Sequence, residues 1–274
     1  MKKRYLAAIG LGLALLLTGC GKSNQSKSQT TLTVGASNIP HSQILQHVKP
    51  ELKKEGIDLK IVTFQDYVMP NKALASKALD ANYFQHEPFL KQWNHDNQQN
   101  LVNVGSIHLE PIGIYSKKAK SLKDLKPNST ILVSNSTADY GRVLQLFKDA
   151  RLITLKKGVD VTTATFDDIA SNPKHLKFKH NYEPKLMAQI YQGGEGDAVV
   201  INSNYAVQAK LDPRKDAIAL EKDTSPYANI VAVRKADQNK PAIKKLVKAL
   251  KSKSTQKWIN QNYKGAVLPI SSSK

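Results

Sequence analysis

The chain of 274 residues has one cysteine, Cys20, so no intramolecular disulfide can brace it and its fold rests on its core. Neither G-x-G-x-x-G nor G-x-x-x-x-G-K-[ST] occurs, which leaves no phosphate-cradling loop; the glycines of Gly193–Asp197 ("GGEGD") precede a strand instead of opening a helix. There is no G-x-S-x-G elbow, and no S-x-x-K supported by S-D-N and K-T-G, so nucleophilic catalysis has no motif. The histidines (His41, His47, His86, His95, His108, His175, His180) include no i, i+4 pair and no H-E-x-x-H. No enzyme activity, cofactor or metal site is therefore expected, although distant histidines can converge in space. Acidic residues are also few, 22 against 41 Lys+Arg, for a net charge of +19. Without a groove-entering motif, zinc-finger cysteines or a stacked-aromatic box, that charge does not imply nucleic acid. It implies a lysine-rich surface facing anionic lipid and cell-wall polymer.

Long hydrophobic runs are missing too. The apolar stretch Leu6–Leu17 follows the basic Met1-Lys2-Lys3-Arg4 and falls well short of the about 20 residues that span a bilayer. It ends in "LTGC", Leu17–Cys20, which has the form of a bacterial lipobox. The expectation is a signal peptide over 1–19, acylation of Cys20, and a cell-membrane location on the extracytoplasmic face through a lipid anchor. Gly21–Thr31 is Ser/Gln/Lys-rich without apolar period and, with Cys20, makes 20–31 a flexible tether.

Beyond the tether, periodicity takes over. Thr31–Ser37 alternates as a strand, Ile44, Leu45, Val48 and Leu52 keep helical spacing before Gly56, and Ile57–Phe64 alternates again. This strand–helix–strand unit predicts an α/β domain with a parallel sheet. A short helix around Ala73–Ala78, a strand near Ala81–Phe84, a helix begun at Pro88, two β-runs within 100–118, the strand Thr130–Ser134 and a helix from about Tyr140 continue the pattern. Lys156–Glu183 is weakly patterned and reads as loops with short helices. Gly196–Ala209 reads as a strand and a helix, Tyr227–Lys235 as a β-run, and Ile243, Leu246, Val247 and Leu250 line a helix. Two lobes with two crossings result: 32–113 as the first part of lobe 1, 114–228 as lobe 2, and 229–274 as the return to lobe 1.

One segment suggests ligand chemistry. "SNSTADYGRVL" puts Asn135, Ser136 and Thr137 after a strand and Arg142 in the first turns of the next helix. Free backbone N–H groups and the helix dipole favour an anion there. Arg142 opposes that field unless a carboxylate compensates it; the alternative is a surface arginine in solvent.

"TFQDYVMPNKAL", "DANYFQHEPFL", "YGRVLQLF", "AVVIN" and "SPYANIVAVR" resemble, in order and spacing, the NlpA-type methionine-binding lipoproteins, substrate-binding components of methionine ABC importers. The resemblance runs from the signal peptide to the C-terminal helices. It implies a two-lobed α/β fold of type II periplasmic-binding-protein class with ligand in the inter-lobe cleft. It implies that Tyr67, Phe84, His86 and Phe89 surround the methionine side chain, that Arg142 pairs with its carboxylate, and that Asn202 and Asn229 hydrogen-bond its backbone. Phe89 stands where relatives often have tyrosine. Relatives often carry P-N-D-P-T before the Gly-Arg; here the loop is "SNSTAD", with its acidic residue at Asp139, and Asn135 aligns as a further ligand contact. The implied partners are methionine, an ABC permease with its ATPase and the membrane, for a monomeric chain. A methionine dipeptide is the nearest alternative ligand; a metal-binding or adhesive surface lipoprotein is the more distant one.

Overall fold

A computed structural model describes residues 29–270. The signal peptide expected over 1–19, the lipidated Cys20 and the tether as far as residue 28 lie outside the described residues.

The chain begins with β1 (Thr30–Ser37), α1 (Gln43–Lys54), β2 (Ile57–Phe64), α2 (Met69–Ala75), β3 (Ala81–His86), α3 (Glu87–Asn97) and β4 (Leu101–Leu109). On α1 the apolar positions Ile44, Leu45, Val48 and Leu52 are all buried, and Gly56 follows with φ +80°, a left-handed turn that lets the chain reverse into β2. β2 and β3 both run parallel to β1, as the strand–helix–strand pattern requires.

A second set follows: β5 (Gly113–Tyr115), β6 (Thr130–Ser134), α4 (Tyr140–Asp149), β7 (Thr154–Leu155), β8 (Ile169–Ser171), β9 (Lys177–Tyr182), α5 (Met187–Gln192), β10 (Ala198–Ile201), α6 (Ser203–Gln208), α7 (Pro213–Asp216) and β11 (Ala217–Leu220). The chain then returns through β12 (Ala228–Arg234), α8 (Pro241–Leu250), α9 (Lys253–Tyr263) and β13 (Leu268–Pro269). The strands form a six-stranded sheet, β13-β4-β12-β3-β1-β2, and a five-stranded sheet, β11-β5-β10-β6-β9, with β7 and β8 as a separate ribbon.

Each large sheet has its own core. In the first lobe Val34, Leu59, Tyr83 and Val231 pack with Ile44 and Leu45 of α1 and Ile243 and Leu246 of α8. In the second, Ile131, Val133 and Val200 pack with Val143, Leu144 and Phe147 of α4. The chain crosses between lobes after β4 and again before β12. The return strand β12 enters the first sheet antiparallel between β3 and β4, which sets Asn229 beside both His86 and His108. Residues far apart in sequence thereby share one patch facing the second lobe.

The segment 156–183 departs from the sequence expectation of loops with short helices. It contributes β9, paired with β6 at the edge of the second sheet. The alternating signature is missing because most of β9 is exposed, and an edge strand with little buried surface needs few apolar residues.

Candidate functional site

Between the two sheets lies a narrow cavity of about 30 Å³. Part of its first-lobe wall is aromatic. Tyr67 precedes α2, Phe84 and His86 end β3, and Phe89 opens α3. Ring centroids are 6.1 Å apart for Tyr67–Phe84 and Tyr67–Phe89, and 5.8 Å for Phe84–Phe89, the last nearly perpendicular. These are tilted and edge-to-face arrangements that aromatic rings favour. They present a polarizable, mostly apolar surface.

His86 has a second task. Its Nδ1 accepts the Phe89 main-chain N–H at 3.2 Å and so caps α3. That bond leaves the hydrogen on Nε2, which donates to Asp139 Oδ1 across the cleft at 3.0 Å. Other bonds that cross between lobes include Tyr67 Oη donating to Asn204 Oδ1 at 2.6 Å and Tyr205 Oη donating to the Gln65 carbonyl at 3.2 Å.

The second-lobe wall is charged and polar. Arg142 is 4% exposed, which excludes the reading as a surface arginine in solvent. It is positioned by the start of α4, where a side chain on Gly141 would run into the Val161 carbonyl, so only glycine lets the helix backbone come this close. Its Nε donates to Glu221 Oε1 at 3.1 Å and its Nη2 to Glu221 Oε2, while Nη2 also reaches the Glu110 carbonyl at 2.8 Å. Nη1 makes only a long contact of 3.4 Å, to Asp139 Oδ1. The forked edge of the guanidinium is therefore engaged by Glu221, and Nη1 remains for a ligand to approach end-on. Tyr227 lies under the guanidinium at 4.7 Å.

Asp139 is shared by His86, Arg142 and Asn202, whose Nδ2 donates to its Oδ2 at 3.1 Å. Burial opposes its charge, but the hydrogen bond from His86, the Arg142 charge and the hydrogen bond from Asn202 outweigh burial and hold the carboxyl well below the usual range. Burial likewise opposes the Arg142 charge, and Glu221 and Asp139 keep it firmly protonated.

The cavity thus brings together Tyr67, Phe84, His86, Phe89, Arg142, Asn202 and Asn229. Asn135 is the exception. It is exposed, its N–H donates to the Tyr182 carbonyl at 2.8 Å, and it lines an outer cleft of about 520 Å³ that adjoins the cavity at Tyr67 and Phe89. The turn Thr137–Asp139 carries Asp139 inward in its place.

Residues that sequence patterns did not single out complete the wall, among them His41, Glu110 and Asn204. His41 and His108 both point Nε2 at Glu110 Oε1, at 3.2 and 2.7 Å. His108 and Glu110 stand at i, i+2 on extended chain and so share a face, which was the one available signal. Donor atoms of the three lie within 4.8 Å of one another. The 2.7 Å contact is a direct hydrogen bond, closer than the roughly 3.3 Å between two ligands of a tetrahedral ion bound at ~2.0 Å. The set as it stands is a hydrogen-bond network.

The sequence profile of the NlpA lipoproteins matches residues 32–271. The chain belongs to the NlpA lipoprotein family. A methionine-binding lipoprotein, MetQ of Bacillus subtilis (strain 168), is 48% identical over 274 residues, covering 99% of this chain and 100% of that one. Among solved structures, a pheromone cOB1 precursor/lipoprotein of the YaeC family from Enterococcus faecalis V583 is similar at 57% identity and TM-score 0.85, over 88% of this chain and 100% of that chain. A nutrient binding protein from Burkholderia cenocepacia bound to methionine is similar at 42% identity and TM-score 0.82, over 87% and 99%. For this NlpA family member the two sheets are accordingly the two lobes of a periplasmic-binding-protein fold, with the cavity at the cleft.

Proposed function

We propose that the protein is an extracytoplasmic solute-binding lipoprotein that captures methionine and delivers it to an ABC importer, without bond chemistry of its own. The observation that carries this reading is the pairing of an aromatic wall with a buried arginine across one enclosed cleft. A thioether packs favourably against the edges of Tyr67, Phe84 and Phe89. The carboxylate meets Arg142 Nη1, and the amides of Asn202 and Asn229 bond the remaining backbone atoms. The methionine named for the Bacillus subtilis and Burkholderia cenocepacia relatives supports the same ligand.

Capture proceeds by lobe closure. The bonds His86–Asp139, Tyr67–Asn204 and Tyr205–Gln65 span the cleft, and a cavity of about 30 Å³ admits an amino acid only when they part. The crossings between β4 and β5 and between β11 and β12 are the places for a hinge, with lobe 1 as 32–113 plus 229–274 and lobe 2 as 114–228. A ligand touching both lobes favours the closed form. The closed protein, monomeric and held at the membrane by a lipidated Cys20, then docks on a permease whose ATPase supplies the energy.

A methionine-containing dipeptide is the second reading, favoured by the outer cleft of about 520 Å³ that continues the cavity past Tyr67. A thermal-shift and calorimetric screen of stripped mature protein against L-methionine, D-methionine, the other amino acids and Met dipeptides separates these readings. A tight ligand at a hundredfold excess over Kd raises stability by about 2.7 kcal/mol. A screen in which no methionine compound shifts the melting temperature refutes the function.

A further inference from the structure

Two carboxylates line the enclosed cavity, and they are balanced differently. Asp139 has the Arg142 guanidinium beside it. Glu110 has no guanidinium or ammonium within 4.0 Å of its carboxylate among the described residues, and its side-chain neighbours are His41 and His108. Burial lowers His41 to about 4 and His108 to about 3, so both rings are neutral at pH 7.

The His108 hydrogen runs to Glu110, and the His41 hydrogen, bonded to Asn229, also faces Glu110. Tyr83 Oη bonds His108 Nδ1, which leaves His108 Nε2–H to donate to Oε1. His41 turns its Nε2 to the same oxygen and to Asn229 Oδ1 at 2.9 Å, and its buried Nδ1 has no hydrogen-bond partner among the described residues. A ring with only one engaged nitrogen, facing two oxygens, carries its hydrogen on that nitrogen. A carboxylate has about four lone-pair sites, so the two rings leave room for a ligand's N–H. With only neutral donors in contact, this buried carboxylate has no cation bonded to it, and the Arg142 charge acts on it from a distance.

Position supplies the rest. The main-chain carbonyl of Glu110 accepts from Arg142 Nη2 at 2.8 Å, so Glu110 and Arg142 are neighbours on the cavity wall. An α-amino acid carries its ammonium and carboxylate on one carbon. We propose that Glu110, held by His41 and His108, receives the α-ammonium of the bound amino acid, with Asn229 Oδ1 as its second acceptor. The proposal rests on the methionine reading and deepens it. Specificity for a free α-ammonium follows, against ligands in which that nitrogen is missing or acylated, including peptides with methionine at their C-terminal position.

The test compares L-methionine with its des-amino analogue 4-(methylsulfanyl)butanoate and with N-acetylmethionine by calorimetry, on stripped wild-type protein and on Glu110→Gln. Wild type is expected to prefer methionine by at least ~100-fold, because the analogues leave a buried carboxylate unmatched. In Glu110→Gln the preference is expected to shrink to within about tenfold, chiefly through weaker methionine binding. Equal wild-type affinity for methionine and the des-amino analogue, or a full preference retained in Glu110→Gln, overturns the assignment while leaving methionine capture standing. A wild-type protein that takes up no methionine overturns both. If Glu110→Gln does not fold, a crystal structure of wild type with methionine decides: ammonium nitrogen within about 3.2 Å of a Glu110 carboxylate oxygen supports the assignment, and beyond about 4 Å refutes it.

Discussion

The aromatic part of the first-lobe wall and the second-lobe wall of the cavity are built from opposite materials. Tyr67, Phe84 and Phe89 meet through ring edges and faces, and their contribution is area removed from water. Arg142, Asp139, Asn202 and Glu221 meet through charge-assisted hydrogen bonds, and their contribution depends on each partner staying in place. An apolar wall degrades gradually when trimmed, because every lost methylene costs a similar increment. A buried ionic wall fails abruptly, because removing one member strands the rest. In the proposed function the aromatic wall grades side chains, and the second-lobe wall, together with Glu110 and Asn229 of the first lobe, holds what all amino acids share.

The sharpest way to break this contrast is Arg142→Ala. It should remove measurable methionine binding by calorimetry and, by leaving Glu221 and Asp139 unpaired, cost about 3–5 kcal/mol in urea unfolding. Near-normal affinity would mean the ionic wall does not hold the ligand.

Acid should separate the histidine network from the Asp139 cluster. His41 and His108 have folded values lowered to about 4 and about 3, below the unfolded ~6.5. The stability tied to their neutral forms is present above ~6.5 and is lost as pH falls toward those values, on the order of 3 kcal/mol for His41 alone. Glu110, pushed up by burial, acts in the opposite sense: the native state keeps its proton where the unfolded chain has released it, which softens the loss. Asp139 is lowered, so its contribution persists until pH drops below the ordinary carboxyl range near 3.9. Melting temperatures followed from pH 7.5 to 3 should therefore decline first through the histidine window. A flat profile down to pH 4 would contradict neutral, buried His41 and His108.

Tyr67→Ala should cost a smaller ~1–3 kcal/mol of affinity through lost packing and should narrow the preference for methionine over alanine. Unchanged selectivity would remove the aromatic wall from ligand choice. Asn135→Ala should be nearly silent, within about 0.5 kcal/mol, since this exposed side chain lies in the outer cleft. A large loss there would extend the site beyond the enclosed cavity and favour the dipeptide.

The aromatic cluster was legible only through the family resemblance, because no periodicity singles out Phe84, His86 and Phe89 at their strand-to-helix junction. Helices α1 and α8 were legible from periodicity itself, since their buried stripes show in any window of two turns. β9 was illegible for the converse reason: at a sheet edge with most side chains in water, it needs no alternation.

What the amino-acid sequence determined by itself was local: the α/β order, the helix stripes, the aromatic junction, and the glycine that lets α4 begin where it does. Tertiary structure alone decided the partners. Nothing near Arg142 in sequence announces Glu221, and nothing near His41 announces Glu110 or Asn229; the insertion of β12 between β3 and β4 and the facing of two lobes bring them together. The physical reason is that hydrogen bonds and ion pairs act over about 3 Å in space, whereas periodicity reports only which side of an element is buried.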